Sequence, residues 1–275
     1  MRQYLRKVFR ASVMSTRIEG NIPATAMSFQ QRWNYRVRWL LASCVRPTET
    51  AAWFALVNDA AMQPFWKDHF PLACKPAREY MSSRWWYGER VRCLKETYQL
   101  ILSNRILSEA LSNSSGRVLA SITLPGCGIV EIRARHDGGF RKEGELVITV
   151  SASELGGALT SAAMSFQRQD DGTLACHIGA IQGHESLESF HAITKAMFGF
   201  RPKAFAVFAA QEVARSLGAK ILFGAGSQIQ MHRKKCLFYL PWVHGVMFDY
   251  DSFWAELGGT LQNNGWFLQI GRAHV

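Results

Sequence analysis

Two periodicities divide the chain. Up to about residue 113 apolar residues recur at helical spacing, and beyond the polar break Asn113-Ser114-Ser115-Gly116 they come in short alternating runs. At the start, Leu5, Val8, Phe9 and Val13 share one helical face with the basic residues opposite. A second helix, basic and aromatic, is predicted over residues 28–45. Pro47 breaks it, and Thr48 is placed to cap a third helix through Trp53, Phe54, Leu56 and Val57, which Pro64 and Pro71 end. Further helix follows from the Phe70 region through Trp85 and Trp86, and then over residues 90–111.

After the break, β-prone runs at 118–124, 129–134, 145–150, 159–166 and 174–181 are separated by tight polar turns such as Asp137-Gly138-Gly139. Such separators predict an antiparallel meander. Residues 174–226 then read strand, helix, strand. The run 174–181 leads to a short helical segment, the turn Gly199-Phe200-Arg201-Pro202-Lys203, an apolar-faced helix, and a last run at 221–223. Near the end Asp251 is placed as an N-cap and Gly258 as the stop of a short helix. The expected fold class is α+β. A basic helical region spans 1–113, and a mixed region spans 114–269 with a mostly antiparallel sheet of five or six strands and helices packed on it. Residues 270–275 resemble the translation of a sequencing-adapter read and are expected to be non-native, with Leu268 the last secure native residue.

Charge sharpens this division. The net charge is +11, and residues 1–108 carry 17 Lys+Arg against 7 Asp+Glu, so almost all of the excess lies in the helical third. One reading is a face directed at an anionic surface such as a membrane, and the other is an ordinary solvated basic helical face. Arg and Trp interleave at 32–39, but Trp at helical spacing is ordinary core and no nucleic-acid module accompanies it; nucleic acid is not an expected partner. The six cysteines never fall at CxxC spacing, so a reduced thiol set is expected and no zinc site. No run reaches the length of a membrane span.

Candidate chemistry gathers around 174–226 and the C-terminal helix. His184 and Glu185 follow a strand end, and Asp251 with Glu256 forms a carboxylate pair, although capping explains Asp251 more simply than acid–base work. His177 lies in an apolar run and reads as a satisfied core histidine. His184, His191 and His232 have no metal-ligand spacing. Arg201 and Lys203 flank Pro202 at a helix start, where amides and cations can hold an anionic group.

Several ordered motifs support a resemblance. These are Phe70-Pro71 with Lys75-Pro76-Ala77-Arg78-Glu79-Tyr80, Arg141-Lys142-Glu143-Gly144-Glu145-Leu146, Ile178-Gly179-Ala180-Ile181-Gln182-Gly183, Arg201-Pro202-Lys203, and the stretch from Tyr250 to Gly259. With them the chain resembles the VirK/YbjX family of bacterial proteins from about Ser28 onward; Asn263-Asn264-Gly265 departs from it, where an Asp before the Gly is expected. The resemblance implies a cytoplasmic bacterial protein connected with virulence and envelope-related responses; the basic helices add a location peripheral to the inner membrane as a further expectation. It brings no settled reaction or catalytic residues. An accessory role with a protein partner is the leading expectation. The alternative is an acyl-CoA-dependent N-acyltransferase-like enzyme, because meander, helix and strand in this order are similar to the N-acetyltransferase fold. There a helix start receives the cofactor pyrophosphate, a role that falls here to Arg201 and Lys203. Two departures accompany the likeness: residues 183–198 intervene between strand and turn, and the glycine-rich cradle is missing.

Overall fold

A computed structural model describes residues 2–20, 28–66, 70–183, 187–231 and 248–269. His184, Glu185, His232 and the 270–275 segment lie outside the described residues. Helices come first: α1 Arg2–Gly20, α2 Phe29–Val45, α3 Pro47–Val57, α4 Gln63–Trp66, α5 Tyr87–Ser103 and α6 Arg105–Ser112, with 3-10 turns at Ala60–Met62 and Phe70–Ala77. Proline decides where α3 begins. Its missing N–H costs nothing at the first helical position, so Pro47 opens the helix with Arg46 as N-cap, and Thr48 falls inside the first turn instead of capping it. α3 ends at Asn58, whose Nδ2 donates to the Phe54 carbonyl at 2.8 Å, well before Pro64, which lies inside α4. Asn104 separates α5 from α6 by accepting from the Leu107 amide at 3.1 Å.

The sheet follows, with β1 Arg117–Leu124, β2 Gly128–Arg135, β3 Leu146–Ala152, β4 Gly157–Arg168, β5 Leu174–Gly183, β6 Ile221–Ala225, β7 Thr260–Leu261 and β8 Trp266–Gln269. Between β5 and β6 lie α7 Leu187–Ala196 and α8 Pro202–Ser216, and α9 Tyr250–Glu256 precedes β7. The architecture is α+β, with N-terminal helices, a mostly antiparallel sheet and further packed helices. The strand order is β1-β2-β3-β4-β5-β6-β8-β7, and every pair is antiparallel except β5–β6. Among the described residues eight strands replace the expected five or six, because residues 260–269 return as a hairpin alongside β6.

Asp251 is not the cap of α9. Asp249 takes that place, accepting from the amides of Asp251 and Ser252, and Asp251 enters the first turn. Gly258 does end the helix, at φ +80°.

Helical region and sheet share one apolar cluster, to which Trp53, Tyr98, Ile148, Phe166, Val207 and Trp254 all belong. α5 and α8 both pack against β4, whose residues 159–167 are buried in succession, so both faces of that strand are covered. Thr97 on α5 fastens the two parts together. Its hydroxyl accepts from the Phe166 amide at 2.8 Å and donates to the Phe166 carbonyl at 3.0 Å. Beside it, Lys75 Nζ lies 2.5 Å from a Glu145 oxygen, and the Tyr98 hydroxyl donates to the other. Burial alone would raise the Glu145 pKa, but the Lys75 ammonium, nearby His136 and the hydrogen bonds from Lys75 and Tyr98 outweigh it and hold it below the usual carboxylate range.

The described cysteines, Cys44, Cys74, Cys93, Cys127 and Cys176, form no disulfide. Among the described residues no helix is long and apolar enough to cross a membrane.

Candidate functional site

The site begins with an irregularity in β5. Opposite Ala163 and Met164 of β4 stand Ala180 and Ile178, so Gly179 is an extra residue in β5. A side chain has no room there: a Cβ on Gly179 would lie 2.1 Å from the Glu143 carbonyl oxygen. The close approach brings the 140–145 connection down onto the strand. On the other edge, the parallel pairing with β6 runs from Ala175↔Ile221 to Ile178↔Gly224 and stops at the bulge. Beyond that point the two strands no longer pair, and β6 leaves the sheet through Gly226 and the 3-10 turn Ser227–Ile229.

Tyr250, the first residue of α9, enters this gap. Its hydroxyl accepts from the Ile181 amide and donates to the Ile181 carbonyl, both at 3.1 Å, and so occupies the hydrogen-bonding position a neighbouring strand would hold. Burial pushes the phenol up to about 12. α9 reaches this position because Gly224 lets Trp254 lie flat on β6; a Cβ there would meet the indole at 2.2 Å.

A cavity of about 430 Å³ opens between the parted strands, walled by Phe140, Ala180, Ile181, Phe248 and Tyr250. Buried polar residues line it too, Ser227 together with Glu143 and Gln230. Glu143 is buried, and Gln230 donates through Nε2 to the Ala225 carbonyl at 3.1 Å while its buried Oε1 has no partner among the described residues. Phe248 is also a wall of a second cavity of about 420 Å³, lined by His191 and Thr194 of α7, Arg201, Pro202 and Lys203 at the start of α8, and Phe253. The Lys203 ammonium lies 3.6 Å from the Phe248 ring centroid, and partial burial lowers its pKa. Arg201 Nη2 is 2.5 Å from Glu256 Oε2, on an exposed surface.

Arg201, Lys203 and Glu256 are therefore brought together, Glu256 as the counter-ion of Arg201. Asp251 stands apart from them, its Oδ1 accepting from the Ser227 amide at 2.7 Å and tying the end of β6 to α9. His177 lies in the core as expected but is not satisfied: its Nδ1 has no partner among the described residues. Glu143, Gln230 and Tyr250 were not singled out as site residues by sequence reasoning, although Glu143 and Tyr250 both fall in the motifs of the resemblance. Among the described residues no group of three or more His, Cys, Asp or Glu stands where it could hold a metal ion.

Chemically, the arrangement sets an apolar slot with an acceptor and a carboxylate in its lining beside a vestibule with two cations and the free amides of a helix start, Phe248 being a wall of both. An elongated ligand with one anionic end matches that division. A family model described as "Protein of unknown function (DUF535)" matches residues 28–270. No curated protein and no solved structure matches the chain.

Proposed function

The chain belongs to the DUF535 family, and on that premise we propose that it is an acyl-CoA-dependent N-acyltransferase-like enzyme whose cofactor lies in the cleft between β5 and β6. The observation that carries the reading is the parting of the parallel pair at Gly179, which opens a crevice at the carboxyl ends of two parallel strands, where open sheets bind ligands. The strand order supports it as well. A parallel pair inside an otherwise antiparallel sheet, joined by helices that start beside the crevice, is the arrangement this reading calls for. The intervening 183–198 stretch, which weighed against that likeness, contains α7, and α7 walls the vestibule.

In this reading Lys203, Arg201 and the first amides of α8 take the pyrophosphate, while the thioester arm enters the slot past Phe248. Glu143 is positioned to accept a proton from an attacking amine. On a bound thioester the amine nitrogen would form the C–N bond as the C–S bond breaks, and Glu143 would return its proton to the departing thiolate, so that a free thiol leaves. Calorimetry with acetyl-CoA and a long-chain acyl-CoA tests the assignment. Arg201→Ala/Lys203→Ala should weaken binding at least about tenfold, roughly 1.4 kcal/mol, with the fold intact. No heat with either ligand overturns it.

A second reading rests on a separate observation, the exposed apolar residues of α1 and α2 set among cations. It holds that the chain is a cytoplasmic protein peripheral to the inner membrane, acting in the virulence and envelope responses that the VirK/YbjX likeness implies. Salt-sensitive sedimentation with anionic vesicles tests that association. The two readings are compatible, since an acyl-transferring enzyme can work at a membrane surface. The cleft favours the enzyme over an accessory without catalysis.

A further inference from the structure

The 140–145 connection faces two ways. Phe140 and Glu143 line the cleft, whereas Lys142, between them, lines a wholly different hollow. This one has a volume of about 520 Å³ and is walled by Arg38 of α2, Arg78 after the Phe70–Ala77 turns, Arg90 of α5, Lys142, Ala77 and Glu79. A smaller recess against Arg141 and Lys75 adjoins it through Arg78 and Lys142. We propose that this hollow binds a phosphate-bearing ligand through Arg38, Arg78, Arg90 and Lys142, at a site distinct from the cleft.

Four segments far apart in sequence deliver one positive charge each to the same space, and only Glu79 offsets them in the wall. Among the described residues no carboxylate forms an ion pair with any of the four. Like charges gathered in this way repel one another unless an anion lies between them. Three of them are also held in place by contacts with neighbouring groups. Arg78 Nη2 donates to the Tyr35 hydroxyl at 2.6 Å, and its guanidinium lies 5.4 Å from the Tyr35 ring centroid. Arg90 Nη1 donates to the Arg78 carbonyl at 2.7 Å, while its Nε is buried without a partner among the described residues. Lys142 is fixed through its backbone, its carbonyl accepting from the Met81 amide at 2.7 Å. Met81 holds a left-handed conformation, φ +61°, unfavourable for a residue with a side chain and kept here by burial.

Three guanidiniums suit phosphate oxygens, which they can engage two at a time, and the excess of charge suits a dianion or a higher charge. A phosphate group reaches such a site either on a soluble compound or on a lipid headgroup. Arg38 sits among the exposed apolar residues Val37, Leu40 and Leu41 of α2, so both routes are open.

The test uses the full chain with two probes at fixed ionic strength: inorganic pyrophosphate by calorimetry, and phosphatidylcholine vesicles carrying phosphatidate by sedimentation. Vesicles matched in surface charge with phosphatidylglycerol are the reference for the second probe. Arg201→Ala/Lys203→Ala serves as the background in which the cleft's own cations are gone. In that background we expect saturable binding, weakened at least about tenfold by Arg38→Gln/Lys142→Gln and by Arg90→Gln. The first pair is exposed and spares the fold, so it decides the matter if melting shows that Arg90→Gln unfolds. Preference for phosphatidate over phosphatidylglycerol, with weak pyrophosphate binding, assigns the site to a lipid phosphate; tight pyrophosphate binding without that preference assigns it to a soluble one. The proposal is overturned if neither probe saturates, or if binding persists unchanged in the Arg38→Gln/Lys142→Gln chain.

Discussion

His177 is enclosed by rings: Phe223 stacks on it at 4.9 Å between centroids, and Trp266 and Trp85 meet it edge-on at 4.9 and 5.5 Å. Burial, with a smaller contribution from Arg92, pushes its pKa down to about 3. The sign of the pH effect follows. Below the ordinary imidazole value the unfolded chain takes up a proton that the folded chain refuses. Stability therefore falls as pH drops through the window from about 6.5 to about 3, by up to roughly 1.4 kcal/mol per pH unit. His177→Phe should flatten that slope, and melting temperatures between pH 6.5 and 5 measure it. Equal slopes in the two chains would sink the idea. Choosing that upper window keeps Glu145 out of the comparison, since a carboxylate held low costs stability only at more acid pH. The Lys75–Glu145 pair makes its own prediction. Lys75→Ala strands a buried carboxylate and should cost about 3–5 kcal/mol in urea unfolding, whereas Lys75→Met/Glu145→Gln should cost clearly less. A double variant worse than the single one would contradict this. The sequence placed His177 in the core through its apolar neighbours. It gave no sign of the missing partner, because which atoms face an Nδ1 depends on strands and helices far away in the chain.

At the scale of elements, β5 is both a core strand and one wall of the cleft, and Tyr250 joins the two roles. Tyr250→Phe removes the hydroxyl that serves the Ile181 amide and carbonyl together. The expected cost is about 1–3 kcal/mol, with faster hydrogen exchange at the Ile181 amide; unchanged exchange would mean that other groups hold that strand edge. Six strands were legible because alternation and turn residues mark them, and the start of α8 because Pro202 suits a first helical turn. The bulge at Gly179 was not, since an extra residue shows only against the register of a partner strand. β7 and β8 were missed although Asn264-Gly265 carries a strong hairpin signal. Two residues of β7 are too few for a periodicity to register. Arg201 and Lys203 could be read as neighbours in sequence, but Glu143 and Gln230 meet in the cleft only through the crossover, and Arg38, Arg78, Arg90 and Lys142 only through packing of the helical region on the sheet.

Across the whole molecule, charge and exposed apolar surface coincide. The N-terminal helices carry most of the net charge, and they also expose Leu5, Phe9 and Val13 on α1 and Phe29, Trp33, Val37, Leu40 and Leu41 on α2. Phe9 is 71% and Phe29 82% exposed, far more than a packed helix leaves open. α1 turns its Ala11 and Met14 side inward towards α2 and α3, so the apolar stripe is the face left outside, with Arg6 and Arg10 beside it. Such a face fits the boundary of an anionic bilayer, apolar side chains among the acyl chains and cations at the headgroups. Each cation near that surface contributes about 1 kcal/mol, screened beyond roughly 8 Å at physiological salt. Two variants separate the contributions. Arg6→Glu/Lys7→Glu/Arg10→Glu should lower sedimentation with anionic vesicles at low salt and matter little at high salt. Trp33→Ser/Leu40→Ser should lower it at both, since apolar insertion is not screened. If the charge-reversed chain sediments as the parent does at both salts, α1 makes no electrostatic contribution. If the apolar variant also sediments unchanged, these helices meet something other than a membrane.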